Sequence, residues 1–297
     1  PHDPRMKLAL IGVGLIGGSA AIAWRRAGVV NEVIGFDRDA AAVARAQALG
    51  AIDRAASSAA EAVRGADLVL LAVPVGAMKE TLSAIAAAVP AHALITDVGS
   101  TKRSVIDAAR AQLGAHGDPS FGRFVPGHPI AGRELPGIEH ADGMLFAGKR
   151  YVSTPVEQTS AEALARVEAL WQAAGAKVAR MDADEHDRIF AAVSHLPHLL
   201  AFALVARIAS EADGSRKLEF AGAGFRDFTR IAASSPEMWR DISIANRAAL
   251  GEELRGYRAL LDELQRAIDG VDATAIERVF ELASRTRRRH AGTFDAE

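Results

Sequence analysis

His128 sits in Phe124-Val-Pro-Gly-His-Pro-Ile-Ala-Gly132, between two prolines that restrict its backbone and two glycines that permit close approach of a ligand. A lone loop histidine is commonly surface decoration. This one follows a strand-like pair in a chain that reads as a nucleotide-binding fold, which favours a chemical role. Imidazole titrates near neutrality, so it is the usual base for taking a hydroxyl proton as hydride leaves the same carbon. Ser100 lies in Asp97-Val-Gly-Ser-Thr-Lys102, after a strand and before a predicted helix at Arg103–Leu113. Its hydroxyl either faces a crevice, to bond a substrate or a catalytic base, or joins Thr101 in capping that helix, with Lys102 solvated.

Ser194-His195-Leu196-Pro197-His198 adds two histidines three residues apart, placed on one helical face. Pro197 withdraws a hydrogen bond from the Val193 carbonyl and predicts a kink costing about 3 kcal/mol. Polar groups on the concave side of such a kink suit a ligand wall; a core or capping role is the alternative. No nearby carboxylate completes a zinc pattern, so no metal is expected. Arg226 and Arg230 are four apart, with Asp227 between them. A guanidinium grips a carboxylate in bidentate fashion, so one of them would anchor an acidic substrate. A surface ion-pair network is the competing explanation, and it weighs more on Arg226 than on Arg230.

These groups need a frame, and the start of the chain provides one. Lys7–Val13 is an apolar run suited to a strand buried on both faces, and it enters Gly12-x-Gly14-x-x-Gly17 ahead of the helix-forming Ala20–Arg26. Strand, glycine turn and helix in that order form a dinucleotide site. Gly12 allows the turn, Gly14 lets backbone approach a pyrophosphate, and Gly17 lets helix and strand pack closely. Gly12, Gly14, Leu15, Ile16 and Gly17 are the expected contacts. A second strand, Glu32–Phe36, ends at Asp37, where a carboxylate would hold the adenosine ribose hydroxyls. That charge would repel a 2′-phosphate, so NAD is expected over NADP, although Arg38 could pair with such a phosphate. The strand Asp67–Val73 stops at Pro74; Val73 and Pro74 would pass the nicotinamide end.

Strands and helices alternate through Arg150–Thr154, helix Ser160–Ala174 and Ala176–Met181. From Asp184 onward only helices follow, including one along Glu237–Arg255 and amphipathic stretches at Leu254–Ile268 and Thr274–Arg289 suited to a subunit interface. The expected class is α/β: a doubly wound, Rossmann-type parallel sheet over 6–182, then an all-α domain over 183–297. Hydrophobic residues make up 49% and charged ones 24%, as in ordinary globular proteins, and the net charge of −2 gives no electrostatic case for nucleic acid or anionic membrane. There is no cysteine, which excludes disulfides and thiolate chemistry. No membrane-spanning run and no secretory pattern are expected, which points to the cytoplasm. Pro1–Arg5, ahead of Met6, is left unassigned.

Taken in order, GVGLIGGS, DVGSTK, GHPIAG, SHLPHLLAFAL and GFRDFTRIAASSPEMW resemble the prephenate/arogenate dehydrogenase family of tyrosine biosynthesis, over roughly Met6 to Arg289. The resemblance implies NAD-dependent oxidative decarboxylation of a small cyclohexadienyl dicarboxylate, without a metal, by a homodimer. It implies that His128 is the catalytic histidine and Ser100 the serine that orients it. His195 and His198 would line the substrate, with His198 the direct contact, and Arg230 would bind a substrate carboxylate. Relatives with a fused mutase or regulatory domain are longer than this chain, so any feedback by tyrosine is expected at the active site. The rival classes are a β-hydroxyacid dehydrogenase, which usually uses a lysine in its helical domain, and an NAD(H)-sensing regulator that would have no use for His128.

Overall fold

Leu8, Ala9, Leu10 and Ile11 are all sealed from solvent, so successive side chains on opposite faces of one strand each need a core to enter. A computed structural model, which describes residues 6–114, 119–133 and 135–294, supplies those two cores. Pro1–Arg5 lie outside the described residues. The chain runs β1 (Met6–Ile11), α1 (Leu15–Arg26), β2 (Val30–Phe36), α2 (Ala40–Ala48), β3 (Arg54–Ala55), α3 (Ala59–Val63), β4 (Leu68–Leu71), α4 (Met78–Ile85), β5 (Leu94–Asp97), α5 (Arg103–Leu113) and β6 (Phe124–Val125). The six strands pair in parallel in the order β3-β2-β1-β4-β5-β6. The order reverses beside β1, which places a ligand crevice at the carboxyl ends of β1 and β4. Leu8 and Leu10 pack with Trp24 and Trp171 on one side; Ala9 and Ile11 pack with Leu82 and Ile106 on the other.

A second sheet departs from expectation. β7 (Gly127–Ile130), β8 (Arg150–Ser153) and β9 (Lys177–Arg180) form their own three strands, β7 antiparallel and β9 parallel to β8. His128 is therefore on a strand rather than in a loop. Prolines argue against strands because they cannot donate to a ladder, but β7 is an edge strand, where that loss is tolerated. Its closeness to β8 depends on Gly127, since a Cβ there would run into the Tyr151 ring. Tyr151 stacks at 4.6 Å on Trp171 of α6 (Ala161–Ala173), joining this sheet to the first core.

The predicted long helix after Asp182 is three segments: α7 (Ala183–Phe190), a π-helical stretch (Ala191–His195) and α8 (Leu196–Ala209). Pro197 falls in the first turn of α8, where a missing donor costs little, and the wider π turn precedes it. Contrary to the sequence expectation, Ala183–Ala209 is long and apolar enough to cross a membrane by length and composition, and 28% of its most apolar 18-residue window is buried. The hydrogen-bonded His186–Asp187 pair and the polar His195 are among its buried residues, so it also serves a polar site.

α9 (Gly214–Glu219), α10 (Ala223–Thr229) and a 3-10 turn (Arg230–Ala233) lead to α11 (Pro236–Ala245), which Ser235 caps through the Met238 N–H. α11 stops at Asn246 instead of running on to Arg255. By density of contacts the chain forms two units, one ending at Arg247 and one beginning at Ala248. The second holds most of α12 (Arg247–Asp269) together with α13 (Ala273–Arg289) and α14 (Ala291–Phe294). Arg278 of α13 pairs with Glu263 of α12 at 3.0 Å, while Phe280 and Leu282 are 60% and 62% exposed.

Candidate active site

Gly12 has φ +97°, and a Cβ there would strike the Ala72 carbonyl, so only glycine makes this turn. At Gly17 a Cβ would overlap the Gly12 carbonyl oxygen, which fixes how closely α1 lies on β1. Gly14 differs: nothing stands within 4 Å of its missing Cβ. It is the N-cap of α1, with no side-chain cap and no acidic residue in the first turn. Open space beside uncapped N–H groups is what a pyrophosphate requires, so these residues fit a dinucleotide. Leu15 is buried behind the turn and Ile16 half-buried. Asp37 spends one oxygen on the Val13 N–H at 2.9 Å and the other on the Asp39 N–H at 2.9 Å, which fixes its carboxylate beside the glycine turn. Arg38 is exposed; Val73 and Pro74 follow β4 into a turn at Val75–Ala77 that packs on α11.

The fit yields a paired expectation. Gly14→Ala should melt like the parent yet raise KM for NAD roughly tenfold, about 1.4 kcal/mol. Gly17→Ala should lose about 1–3 kcal/mol of stability from overpacking, read by chemical denaturation.

Ser100 is half-buried just past β5, but the next residues behave unlike the solvated cap considered above. Lys102 is fully buried, its Nζ donating to Asp97 Oδ2 at 2.5 Å and to the Gly127 carbonyl at 2.6 Å. Asp97 also accepts the N–H groups of Gly99 and Gly127. The buried ion pair thus ties the end of β5 to the residue before His128. α5 is capped from far along the chain: Asp187 accepts the N–H of Lys102 at 2.7 Å and of Arg103 at 3.0 Å.

Asp187 leads to His128. His186 Nδ1 lies 2.8 Å from Asp187 Oδ1, and His186 Nε2 lies 2.9 Å from His128 Nδ1. The sequence assigned the orientation of His128 to Ser100; the side chain found at its Nδ1 is His186. Phe190 covers both rings, with centroids 5.1 Å from His128 and 4.4 Å from His186. Burial, then the neighbouring His186, Lys102 and His195, hold the His128 pKa well below 6.5. Burial opposes ionisation of Asp187, but the bonds from His186, Lys102 and Arg103 outweigh it and keep the carboxylate charged.

His195 is buried on the π segment. Asn246 donates from Nδ2 both to the Asp187 carbonyl at 2.7 Å and to His195 Nδ1 at 3.1 Å. Burial brings the His195 pKa to about 4; the Ser100 carbonyl favours a proton there but closes no hydrogen bond, leaving Nε2 buried without a partner. His198 gives Nδ1–H to the Ser194 carbonyl at 2.9 Å and stacks on Trp239 with centroids 3.6 Å apart. Its pKa is lowered by burial and, against the Ser194 bond, by the charge of Arg230. Arg230 is exposed at the start of its 3-10 turn, which packs on α8. Arg226 is exposed and meets Asp227 at 3.8 Å, the surface pair considered for it. Sequence reasoning missed His186, Asp187, Asn246 and the buried role of Lys102. Among the described residues no group of three or more His, Asp or Glu is placed to hold a metal.

A parallel sheet in this order, a glycine turn shaped for pyrophosphate and a cluster of buried and half-buried histidines beyond it define an NAD-dependent dehydrogenase with a helical partner domain. The comparisons narrow this. The family model for the prephenate dehydrogenase nucleotide-binding domain matches residues 20–180, and that for the prephenate dehydrogenase dimerization domain matches 182–282. Cyclohexadienyl dehydrogenase of Zymomonas mobilis is 36% identical over 282 residues, covering 94% of each chain. Prephenate dehydrogenase of Bacillus subtilis is 36% identical over 282 residues, 93% of this chain and 74% of that one. The structure of A. aeolicus prephenate dehydrogenase in complex with hydroxyphenyl propionate and NAD+ superposes with a TM-score of 0.88 at 33% identity, covering 97% of this chain and 99% of that one. Synechocystis arogenate dehydrogenase gives 0.76 at 31% identity, covering 96% and 100%. The chain belongs to the prephenate dehydrogenase family.

Proposed function

We propose that this protein oxidatively decarboxylates prephenate, arogenate or both, giving 4-hydroxyphenylpyruvate or tyrosine. The observation that carries this is the His128 ring, held by Nδ1 and kept uncharged by burial, so that Nε2 can accept a hydrogen bond at neutral pH. NAD, when bound against the glycine turn, supplies the hydride acceptor. His128 takes up the proton of the ring hydroxyl as the C–H bond on the same carbon breaks. The ring carboxylate then leaves as CO2, its bonding electrons completing the aromatic ring, and the proton is returned to the phenol oxygen. Ser100 and His195 border the same face, His195 through its unpartnered Nε2. His198, stacked on Trp239, and Arg230 beside it supply the carboxylate-binding end.

Arg230→Ala should leave kcat near the parent value and raise KM about 10–100-fold, the loss of a charged hydrogen bond worth about 1.5–3 kcal/mol. Asp37 serves the ribose hydroxyls and disfavours NADP, and Val73 and Pro74 border the nicotinamide. The nucleotide domain ends near Asp182, the helical domain forms a homodimer in the cytoplasm, and neither nucleic acid nor membrane is a partner. The rival β-hydroxyacid chemistry is disfavoured by Lys217, the one lysine after residue 182, which is paired on the surface with Glu211 and Asp213. The test offers purified protein and NAD first prephenate, then arogenate. Equal amounts of NADH and CO2 from at least one support the proposal; no turnover of either overturns it.

A further inference from the structure

We propose that His186 and Asp187 are a positioning pair that fixes the His128 tautomer, so that the proton stays on Nδ1 and the lone pair on Nε2 faces the substrate. This rests on His128 being the base, as proposed above.

Each donor assignment follows from what its partner can do. The Asp187 carboxylate can only accept, so the His186 Nδ1 that lies 2.8 Å from it carries the hydrogen. In a neutral ring, His186 Nε2 is then an acceptor. His128 Nδ1, 2.9 Å away, must therefore donate to it. A neutral His128 so held has its only free lone pair on Nε2.

The same carboxylate cannot turn, because the Lys102 and Arg103 N–H groups hold it from the start of α5. Those bonds also fix the loop that carries Ser100. Asp187 thereby positions the base and the serine loop together. The backbone of the same residue sets a second tautomer. Its carbonyl can only accept, so it fixes the Asn246 amide with Nδ2 facing both it and His195 Nδ1. His195 Nδ1 is then an acceptor and its buried Nε2 a donor. Two imidazoles of opposite hydrogen-bond polarity result: His128 accepts where His195 donates. That suits a substrate bearing a hydroxyl to deprotonate and an oxygen to be held.

A triad histidine in the wrong tautomer loses several powers of ten in rate. His186→Gln retains an acceptor where Nε2 stands; His186→Met has similar bulk and none. The Met variant should lose about 100-fold in kcat with KM for substrate changed less than threefold, whereas Gln should stay within about tenfold of the parent. Nitrogen-15 spectra of the parent holoenzyme with labelled histidine should show His128 protonated at Nδ1 and bare at Nε2. In the Met variant the two tautomers should mix. Parent spectra with His128 protonated at Nε2, or a folded Met variant of parental kcat, would overturn the proposal. The spectra decide even if the Met variant does not fold. Failure of His128 as the base would be seen separately, as a His128→Asn enzyme that still turns over.

Discussion

His128→Asn should lower kcat about 10²–10⁴-fold while moving KM for substrate and for NAD little. Asparagine keeps a polar group near the position of Nδ1, so the bond to His186 can persist. The accepting nitrogen at the far side of the ring is lost, and with it the base. The parent should show the matching pH dependence. Only the uncharged ring accepts a proton, so kcat/KM falls as pH drops through the His128 pKa. Burial, then the neighbouring His186, Lys102 and His195, put that pKa well below 6.5. The acid limb is therefore expected below 6.5, with no limb from this group above it. Steady-state kinetics across pH, parent against variant, read both results. An acid limb that survives unchanged in His128→Asn would assign it to another residue.

Lys102→Met should cost about 3–5 kcal/mol of stability, because it leaves the Asp97 carboxylate buried without its counter-charge. Lys102 and Asp97 are both sealed from solvent. The side chain also holds the Gly127 carbonyl, so its loss loosens β7 beside His128. Burial lowers the Lys102 pKa, and Asp97 and then Asp187 offset only part of that, so the pair persists because each charge answers the other. Denaturant unfolding of Lys102→Met and of Lys102→Met/Asp97→Asn separates the contributions. The double variant should recover part of the loss, since it removes the orphaned charge. Equal loss in both would mean that the carboxylate is not what makes the single change costly.

The nucleotide-binding half was legible because its strands are buried on both faces and so appear as unbroken apolar runs; Leu68–Leu71 falls within the predicted Asp67–Val73. β3, two residues long and exposed, leaves no such trace. The glycine spacing likewise carried its meaning locally, as Gly12 and Gly17 show. The network behind His128 did not. His186 and Asp187 look like ordinary polar residues near a helix start, and only burial by distant elements turns them inward. His195 lies nine residues beyond His186, about two and a half α-helical turns and so on the opposite face of a regular helix. The π segment shifts that phase, and periodicity gives no warning of it. Lys102 is similar: a lysine after a strand reads as solvated until β7 closes over it. The available signal was chemical rather than periodic, a His-Asp dipeptide ahead of two further histidines. Pro129 misdirected the reading of β7 for the opposite reason, since an edge strand needs fewer donors than an interior one.

One measurement bears on the whole account. In a crystal of the protein with NAD and a hydroxyphenyl carboxylate analogue, His128 Nε2 should lie within about 2.6–3.2 Å of the ring oxygen, with Arg230 at the carboxylate end. A ring oxygen turned away from His128, or an analogue seated outside the crevice beside the glycine turn, would contradict it.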